Sequence, residues 1–353
     1  MTGDEARSLL FLSCDIVGST RFKQSSTLSL WQKTFLTFYR EFPQVLGDLT
    51  AEAGFEPEFK LWKPVGDELI FTVHVRNEED IFHAVRLWIA AMDKYESDVL
   101  EDTPLATKGG AFIATFPGPD SESSIPRNPI TETSDKGVVE LNAEALAARD
   151  TDAGDAYMYD YFGPSIDTGF RIFGACDNRY FTLTVEVAWA LAQCAADAGV
   201  DSEKFPLPHL RFLGTQVFKG VWDGRAYPLF ALDRHQSDLI NKALAALEDN
   251  HLDPNKVAEL CRQCSKDADW PSKLYLPASD HSIFRSEPVD PLEQLASNSM
   301  DGAETLPAAG AGTGEELEHD PPLPEPLKDS TLDLGPSQAA AQAVQNLLDQ
   351  RDM

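Results

Sequence analysis

The segment Leu9-Leu10-Phe11-Leu12-Ser13-Cys14-Asp15 constrains this chain more than any other. A largely apolar run stops at an acid, and the small-residue turn Gly18-Ser19-Thr20 follows shortly after. A short apolar run bounded by a turn signal reads as a fully buried strand. A carboxylate at the exit of such a strand is costly to desolvate unless something cationic or a hydrogen-bond donor meets it. Two readings of Asp15 stand open: a cap for the next helix, or a ligand for a divalent metal over a phosphate.

The second reading needs another acid in the same predicament, and Gly66-Asp67 supplies it. Lys60-Leu61-Trp62-Lys63-Pro64-Val65 and Glu68-Leu69-Ile70-Phe71-Thr72-Val73 flank that dipeptide. A two-residue Gly-Asp link between extended runs signals a β-hairpin, and Gly in first place suits a II′ turn. Two carboxylates at one spot repel each other, and a divalent ion resolves the repulsion. Oxygen-only ligation suits Mg²⁺ or Mn²⁺.

Between these acids, Trp31, Phe35, Phe38, Phe42, Val45 and Leu49 recur at helical spacing, with Pro43 expected to kink or split the helix. Ile81, Val85, Trp88, Ile89 and Met92 mark a second helix. Residues 105–116 read as one strand, in which Gly109-Gly110 relieves close packing. Residues 117–155 are rich in Pro, Ser, Asp and Ala and read as a long inserted loop. A short aromatic strand (156–162), a helix from Gly163 with Ile166, Phe170 and Phe173 on one face, a strand (181–185), a helix (188–198) ended by Gly199 and two last strands (209–217 and 226–232) complete the unit. The β-α-β-β-α-β order predicts an α+β fold, a ferredoxin-like antiparallel sheet with helices on one face.

Composition sets the outer limits. Residues 1–233 form one expected domain and 234–285 a helical region, with helices at 239–247 and after Asp253-Pro254. From 286 to 353 there are two basic and fourteen acidic residues, so this stretch holds −12 of the formal −29. It is expected to be a mostly disordered tail, with a short helix at 337–350. The acidic balance argues against a nucleic-acid-binding surface. No apolar run reaches membrane-spanning length. Met1-Thr2-Gly3-Asp4-Glu5 lacks the basic character of a secretory leader, and the five cysteines form no spaced framework, so a cytoplasmic location is expected. Cys261-Arg262-Gln263-Cys264 is a lone CxxC. It reads as two helix-face cysteines, or as half of a zinc set completed by His251 and His281.

Asp167 and Arg171 lie i and i+4 and share a helix face. They are either a surface ion pair or a group reaching for polyphosphate. With these residues in view, Phe11-Leu12-Ser13-Cys14-Asp15-Ile16-Val17-Gly18-Ser19-Thr20 and Lys63-Pro64-Val65-Gly66-Asp67-Glu68 resemble the catalytic domain of class III nucleotide cyclases. The resemblance covers roughly residues 8 to 233. It implies that Asp15, the Ile16 carbonyl and Asp67 bind two metal ions, Mn²⁺ or Mg²⁺. It implies that Lys63 and Asp160 read the base, that Arg171 serves the transition state, and that Arg225, with Lys219 second, grips the triphosphate. Asp167 stands where the family has a ribose-contacting Asn.

The run Tyr161-Phe162-Gly163-Pro164-Ser165-Ile166-Asp167-Thr168-Gly169-Phe170-Arg171 looks most like the bacterial pyrimidine cyclases of anti-phage (Pycsar) signalling. That resemblance implies cyclic UMP or cyclic CMP as product, with UTP the favoured substrate, and a separate effector protein that responds to the cyclic nucleotide, while the class III resemblance implies a homodimer with sites at its interface. Trp62, Tyr161 and Phe162 either narrow the pocket to pyrimidine size or are plain core aromatics. The residues themselves leave UTP, CTP and ATP open, because a lysine donor and a carboxylate acceptor serve all three bases. A sensor that binds nucleotide without turnover is the non-enzymatic alternative.

Overall fold

Strand β1 (Arg7–Val17) is buried from residue 8 through residue 14, as its apolar run requires. The computed structural model describes residues 6–128, 136–198, 209–248 and 252–292. Gly18, at φ 82, turns the chain into α1 (Ser19–Ser25), and α2 (Leu28–Ala53) follows. Pro43 does not split α2, which runs unbroken through it. Phe38, Phe42 and Leu46 are buried along one side of the helix around that residue. Burying each such side chain stabilises by about 1.5–3 kcal/mol, enough together to outweigh the cost of about 3 kcal/mol for an interior proline.

Strands β2 (Phe59–Val65) and β3 (Glu68–Val75) form the expected hairpin, with Val65 opposite Glu68. Gly66 has φ 63, while Asp67 stays out of the left-handed region, as a II′ turn demands. Helix α3 (Glu78–Tyr95) starts at Asn77, whose side chain accepts from Asp80 N. The single strand expected over 105–116 is two: β4 (Ala106–Lys108) and β5 (Gly110–Phe116). They break at Gly109, where a Cβ would sit 1.9 Å from the Ser13 carbonyl oxygen.

Residues 117–155 are not one irregular loop. They contain β6 (Ser121–Pro126), α4 (Val138–Ala147) and a 3₁₀ turn (Asp152–Ala156). β6 pairs antiparallel with β7 (Tyr157–Phe162), and the two form a sheet of their own. The sequence Ser-Glu-Ser-Ser-Ile-Pro of β6 has almost no β-propensity, so only pairing with β7 reveals it. The chain continues as α5 (Pro164–Phe173), β8 (Tyr180–Leu183), α6 (Val185–Ala198), β9 (Leu210–Val217), β10 (Ala226–Asp233), α7 (Leu239–Glu248) and α8 (Pro254–Cys264). The stop expected at Gly199 lies outside the described residues.

The main sheet has the order β2-β3-β1-β5-β8-β10-β9, with β4 also on β1. Its first four strands are antiparallel neighbours in the split βαβ arrangement. Only β5 and β8 pair in parallel among the described strands. On one face, Phe71 meets Trp88 of α3 at 5.5 Å between ring centroids, and Trp88 meets Phe42 of α2 at 5.2 Å. On the other, Phe11 stacks on Phe112 at 4.6 Å, and Trp62, Tyr161, Phe170 and Phe173 close over them. α5 and β7 therefore cover the face that α2 and α3 leave open.

Residues 252–291, expected as part of a separate helical region and the start of the tail, pack within one unit with the sheet. Thr115 Oγ1 donates to Lys273 O at 2.6 Å, Tyr275 N donates to Ser8 Oγ at 3.2 Å, and Phe284 meets Trp189 at 4.7 Å. Residues 293–353, including the helix expected at 337–350, lie outside the described residues. No described helix is long and apolar enough to cross a membrane.

Candidate active site

Side chains alternate along a strand, so Asp15 leaves β1 on the same face as Phe11. There it lies opposite Glu68 of β3 and Lys108 of β4. Lys108 Nζ stands 3.2 Å from Asp15 Oδ2. Asp67, in the adjoining turn, has Lys23 Nζ 3.4 Å from its Oδ1. Burial pushes the Asp15 carboxyl above the usual range, against the pull of Lys108, and the charge of Asp67 pushes it further. Burial also raises Glu68, opposed by a hydrogen bond from Ser13, and the charges of Asp15 and Asp67 add to the rise. Three acids thus share one corner and feel each other's charge.

The helix-cap reading of Asp15 does not hold. Gly18 occupies the N-cap of α1, and no side chain caps that helix. A metal fits the corner's chemistry, which is that of hard oxygen donors carrying excess negative charge. Among the described residues no group of three His, Cys, Asp or Glu side chains is placed to hold an ion. Lys108 and Lys23 supply counter-charge to Asp15 and Asp67.

The second constellation joins distant segments. Lys63 Nζ of β2 stands 2.9 and 3.0 Å from the two carboxylate oxygens of Asp160 on β7, 97 residues away. The ammonium lies 4.0 Å from the centre of the Trp62 ring. Asp160 Oδ1 also accepts from Tyr161 N at 2.9 Å, which fixes the carboxylate's orientation. Trp62 and Tyr161 pack into the aromatic cluster around Phe11, at 4.9 and 5.4 Å, whereas Phe162 is exposed.

Asp167 and Arg171 both sit on the exposed side of α5. Of the two readings of this pair, the i,i+4 surface ion pair is not formed, and neither residue is ion-paired with any described residue. Gly169 seats the helix, since a Cβ there would lie 2.2 Å from the Phe112 ring. Arg225, by contrast, is engaged elsewhere: it pairs with Asp267 and, at 3.4 Å, with Asp269. Lys219 is exposed. Cys261 and Cys264 are buried between α8 and α6, where burial raises both thiols. His281 is bonded to Asp197 at 2.7 Å, and His251 lies outside the described residues.

Four residues escaped the sequence reading. Lys23, Glu68 and Lys108 complete the acid corner. Asp120 is fully buried at the start of the 117–155 segment, and burial pushes its carboxyl up to about 6. Only Lys108 had a signal, as a lone cation ending a strand beside Gly109-Gly110.

No family model matches this chain, and no curated protein does. Solved structures do. The chain is 13% identical to the adenylyl cyclase CyaB from P. aeruginosa, over 65% of its own length and 94% of the other, with a TM-score of 0.43. It is 14% identical to a crystallised guanylyl cyclase, over 66% of its own length and 94% of the other, with a TM-score of 0.40. It is also 14% identical to an adenylate/guanylate cyclase/hydrolase from Silicibacter pomeroyi, over 65% of its own length and 98% of the other, with a TM-score of 0.36.

Proposed function

We propose that this chain is a nucleotide cyclase that converts UTP to 3′,5′-cyclic UMP and pyrophosphate. The observation that carries this reading is the Lys63–Asp160 pair. A half-exposed ion pair is worth about 0–1 kcal/mol to the fold. Such a pair against an aromatic wall adds little to the fold, but a donor beside an acceptor is what a nucleobase edge requires. Lys63 would donate to uracil O4, and Asp160 would accept from N3–H. The same two groups would serve cytosine or adenine through a ring nitrogen and an exocyclic amine. The preference for UTP over CTP or ATP therefore rests on the resemblance of residues 161–171 to pyrimidine cyclases.

Asp15, the Ile16 carbonyl and Asp67 would hold Mn²⁺ or Mg²⁺, two ions per site, whose chemistry when bound is to acidify the ribose 3′-hydroxyl and neutralise the triphosphate. The 3′-oxygen forms its bond to the α-phosphorus in line, the bond to the β-phosphate oxygen breaks, and pyrophosphate and a proton leave. Arg171, with no described acid holding it, brings its guanidinium to the charge that develops on the α-phosphoryl oxygens. Asp167, one turn away, faces the ribose. Arg225 serves the triphosphate only after leaving Asp267 and Asp269.

A homodimer with sites at its interface accompanies this reading: the acid corner of one copy meets the Lys63, Asp160 and Arg171 flank of a second. The exposed apolar side chains of Leu61, Val65 and Phe162 near that flank suit such a contact. The product would act in the cytoplasm on a separate effector protein, as an alarm signal in anti-phage defence.

A second reading, a nucleotide sensor without turnover, draws on the lysines that stand on both aspartates. One assay decides. The purified protein is incubated with each nucleoside triphosphate and Mn²⁺, and the products are identified by mass spectrometry. Cyclic UMP is expected. Cyclic AMP alone overturns the pyrimidine assignment, and no cyclic product from any triphosphate favours the sensor.

A further inference from the structure

Residues 117–155 supply none of the groups assigned above, yet they hold two of the elements that do, β7 and α5. β6 pairs along β7 with Ser123 opposite Asp160, and Ser123 Oγ donates to the Asp160 carbonyl at 3.3 Å. Just before β6, the buried Asp120 reaches in two directions. Its Oδ1 accepts from Ser165 N at 2.9 Å, in the first turn of α5. Its Oδ2 accepts from Thr115 N at 3.1 Å, on β5. Its own N–H donates to Thr115 O at 3.2 Å.

Helix α5 has no cap of its own. Gly163 stands at its N-cap position without a side chain to offer, at φ 144. A Cβ at Gly163 would lie 2.4 Å from Asp120 Oδ1, so the glycine leaves room for that carboxylate. The first N–H groups of a helix need acceptors, and a negative charge there is favourable. Here the acceptor comes from 45 residues away and is itself bonded to a sheet strand. The apolar contacts of Ile166, Phe173 and Gly169 set how close α5 lies to the sheet. Such contacts are non-directional. The two hydrogen bonds of one carboxylate are directional, and they fix where the helix starts and how it is rotated.

We propose that Asp120 is a positioning residue for Arg171 and Asp167, fixing the helix whose exposed side carries both. The proposal rests on the cyclase reading for what Arg171 does, but not for what Asp120 does to α5. A guanidinium with no described ion-pair partner relies on its helix for its position, and misplacement by about 1 Å costs on the order of 10²-fold in rate.

The test uses the full chain with Asp120→Ala and Asp120→Asn, each in the wild-type and the Arg171→Ala background. Two readouts are taken: hydrogen exchange of the peptide spanning 164–173, and kcat and KM with UTP and Mn²⁺. For Asp120→Ala the expected result is faster exchange at the start of α5 and a kcat lowered about 10- to 100-fold. KM should stay within about twofold. Asp120→Asn keeps one acceptor and should recover part of the rate. In the Arg171→Ala background the loss should shrink to less than about twofold, because the two residues act as a unit. An equal loss in both backgrounds, an effect on KM alone, or unchanged exchange in 164–173 overturns the proposal. Should Asp120→Ala fail to fold, Asp120→Asn carries the same comparison with a smaller expected loss. A wild type that makes no cyclic product defeats the cyclase reading, and the exchange result then decides the role of Asp120 on α5 by itself.

Discussion

The acid corner and the β7–α5 flank are assembled in opposite ways. Asp15, Glu68 and Lys108 meet through strand register alone, on β1, β3 and β4, with Asp67 in the adjoining turn. A slip of one residue would send Asp15 to the other face of the sheet, and the buried strand forbids that slip. On the flank, Lys63, Asp160 and Arg171 come from an edge strand, a separate two-stranded sheet and a helix capped by a distant carboxylate. The corner is set by backbone register, while the flank joins aromatic packing against the sheet to side-chain bonds between distant segments. The two also differ in charge. The corner gathers acids of which Asp15 and Glu68 are raised chiefly by burial and further by neighbouring carboxylates, and the flank leaves a cation unpaired among the described residues. Under the proposed reading the corner would face the metal ions and the flank the nucleotide, and the comparison invites substitutions that strike one half at a time.

The largest effect is expected in the corner. Asp15→Asn or Asp67→Asn should lower cyclic-product formation by about 10³-fold or more, since both would hold the ions. The fold should survive either change. Asp15 is a desolvated acid whose carboxyl is already raised, so its loss relieves repulsion as well as breaking the Lys108 pair. A thermal melt alongside the activity assay separates the two outcomes. Full activity in Asp67→Asn would remove the metal assignment.

On the flank, Arg171→Ala should cost about 10²- to 10³-fold in kcat, the usual range for losing a preorganised donor to a developing oxyanion. KM for the nucleotide should change less. A loss confined to KM would make Arg171 a ground-state binding group and would blur the distinction between the two halves.

The same contrast explains what the sequence disclosed. The β1 strand, the Gly66-Asp67 hairpin and the helices around Phe38 and Trp88 were legible because their signals are local: an apolar run, a turn dipeptide, a 3.6-residue period. The ferredoxin-like order followed from them. The flank was legible only through its motif residues. Nothing in Ser121–Pro126 signals a strand, because its pairing energy lies in backbone bonds to β7. Asp120 reads as one more loop acid in a stretch rich in Pro, Ser, Asp and Ala. Its burial depends on α5 and β5, which lie far away in sequence. Gly109 was understood as a close-packing site, but its breaking of the strand was not, since the obstructing Ser13 carbonyl belongs to β1.

Base choice should respond more gently than turnover. Lys63→Gln exchanges a cation for an amide that both donates and accepts. Asp160→Asn turns an acceptor-only group into one that also donates. Each should shift the ratio of kcat/KM between UTP and CTP or ATP by about 10- to 100-fold, the scale of one unsatisfied hydrogen-bonding group at about 1–3 kcal/mol. An unchanged ratio with uniformly lower activity would mean that the pair supports the flank and does not read the base.

The smallest effect is a stability signature of Asp120. Its carboxyl is pushed up to about 6 by burial, against hydrogen bonds from Thr115 and from the start of α5. Between the unfolded value of 3.8 and about 6, the folded protein therefore binds more protons at this site than the unfolded chain does. The sign follows from linkage: stability falls as pH rises through that window and levels off above it. Asp15, Glu68 and Glu186 are raised by burial too, so the wild-type profile contains all four contributions. The difference between wild type and Asp120→Asn isolates one of them. The melting temperature of the wild type should drop by about 2–5 °C more than that of the variant between pH 4 and pH 6.5, and the two profiles should run parallel above pH 7. Parallel profiles throughout would mean that Asp120 is ionised in the fold at little cost. The cap on α5 would then carry no titratable signature, and the contrast between the two halves would rest on their assembly and their charge.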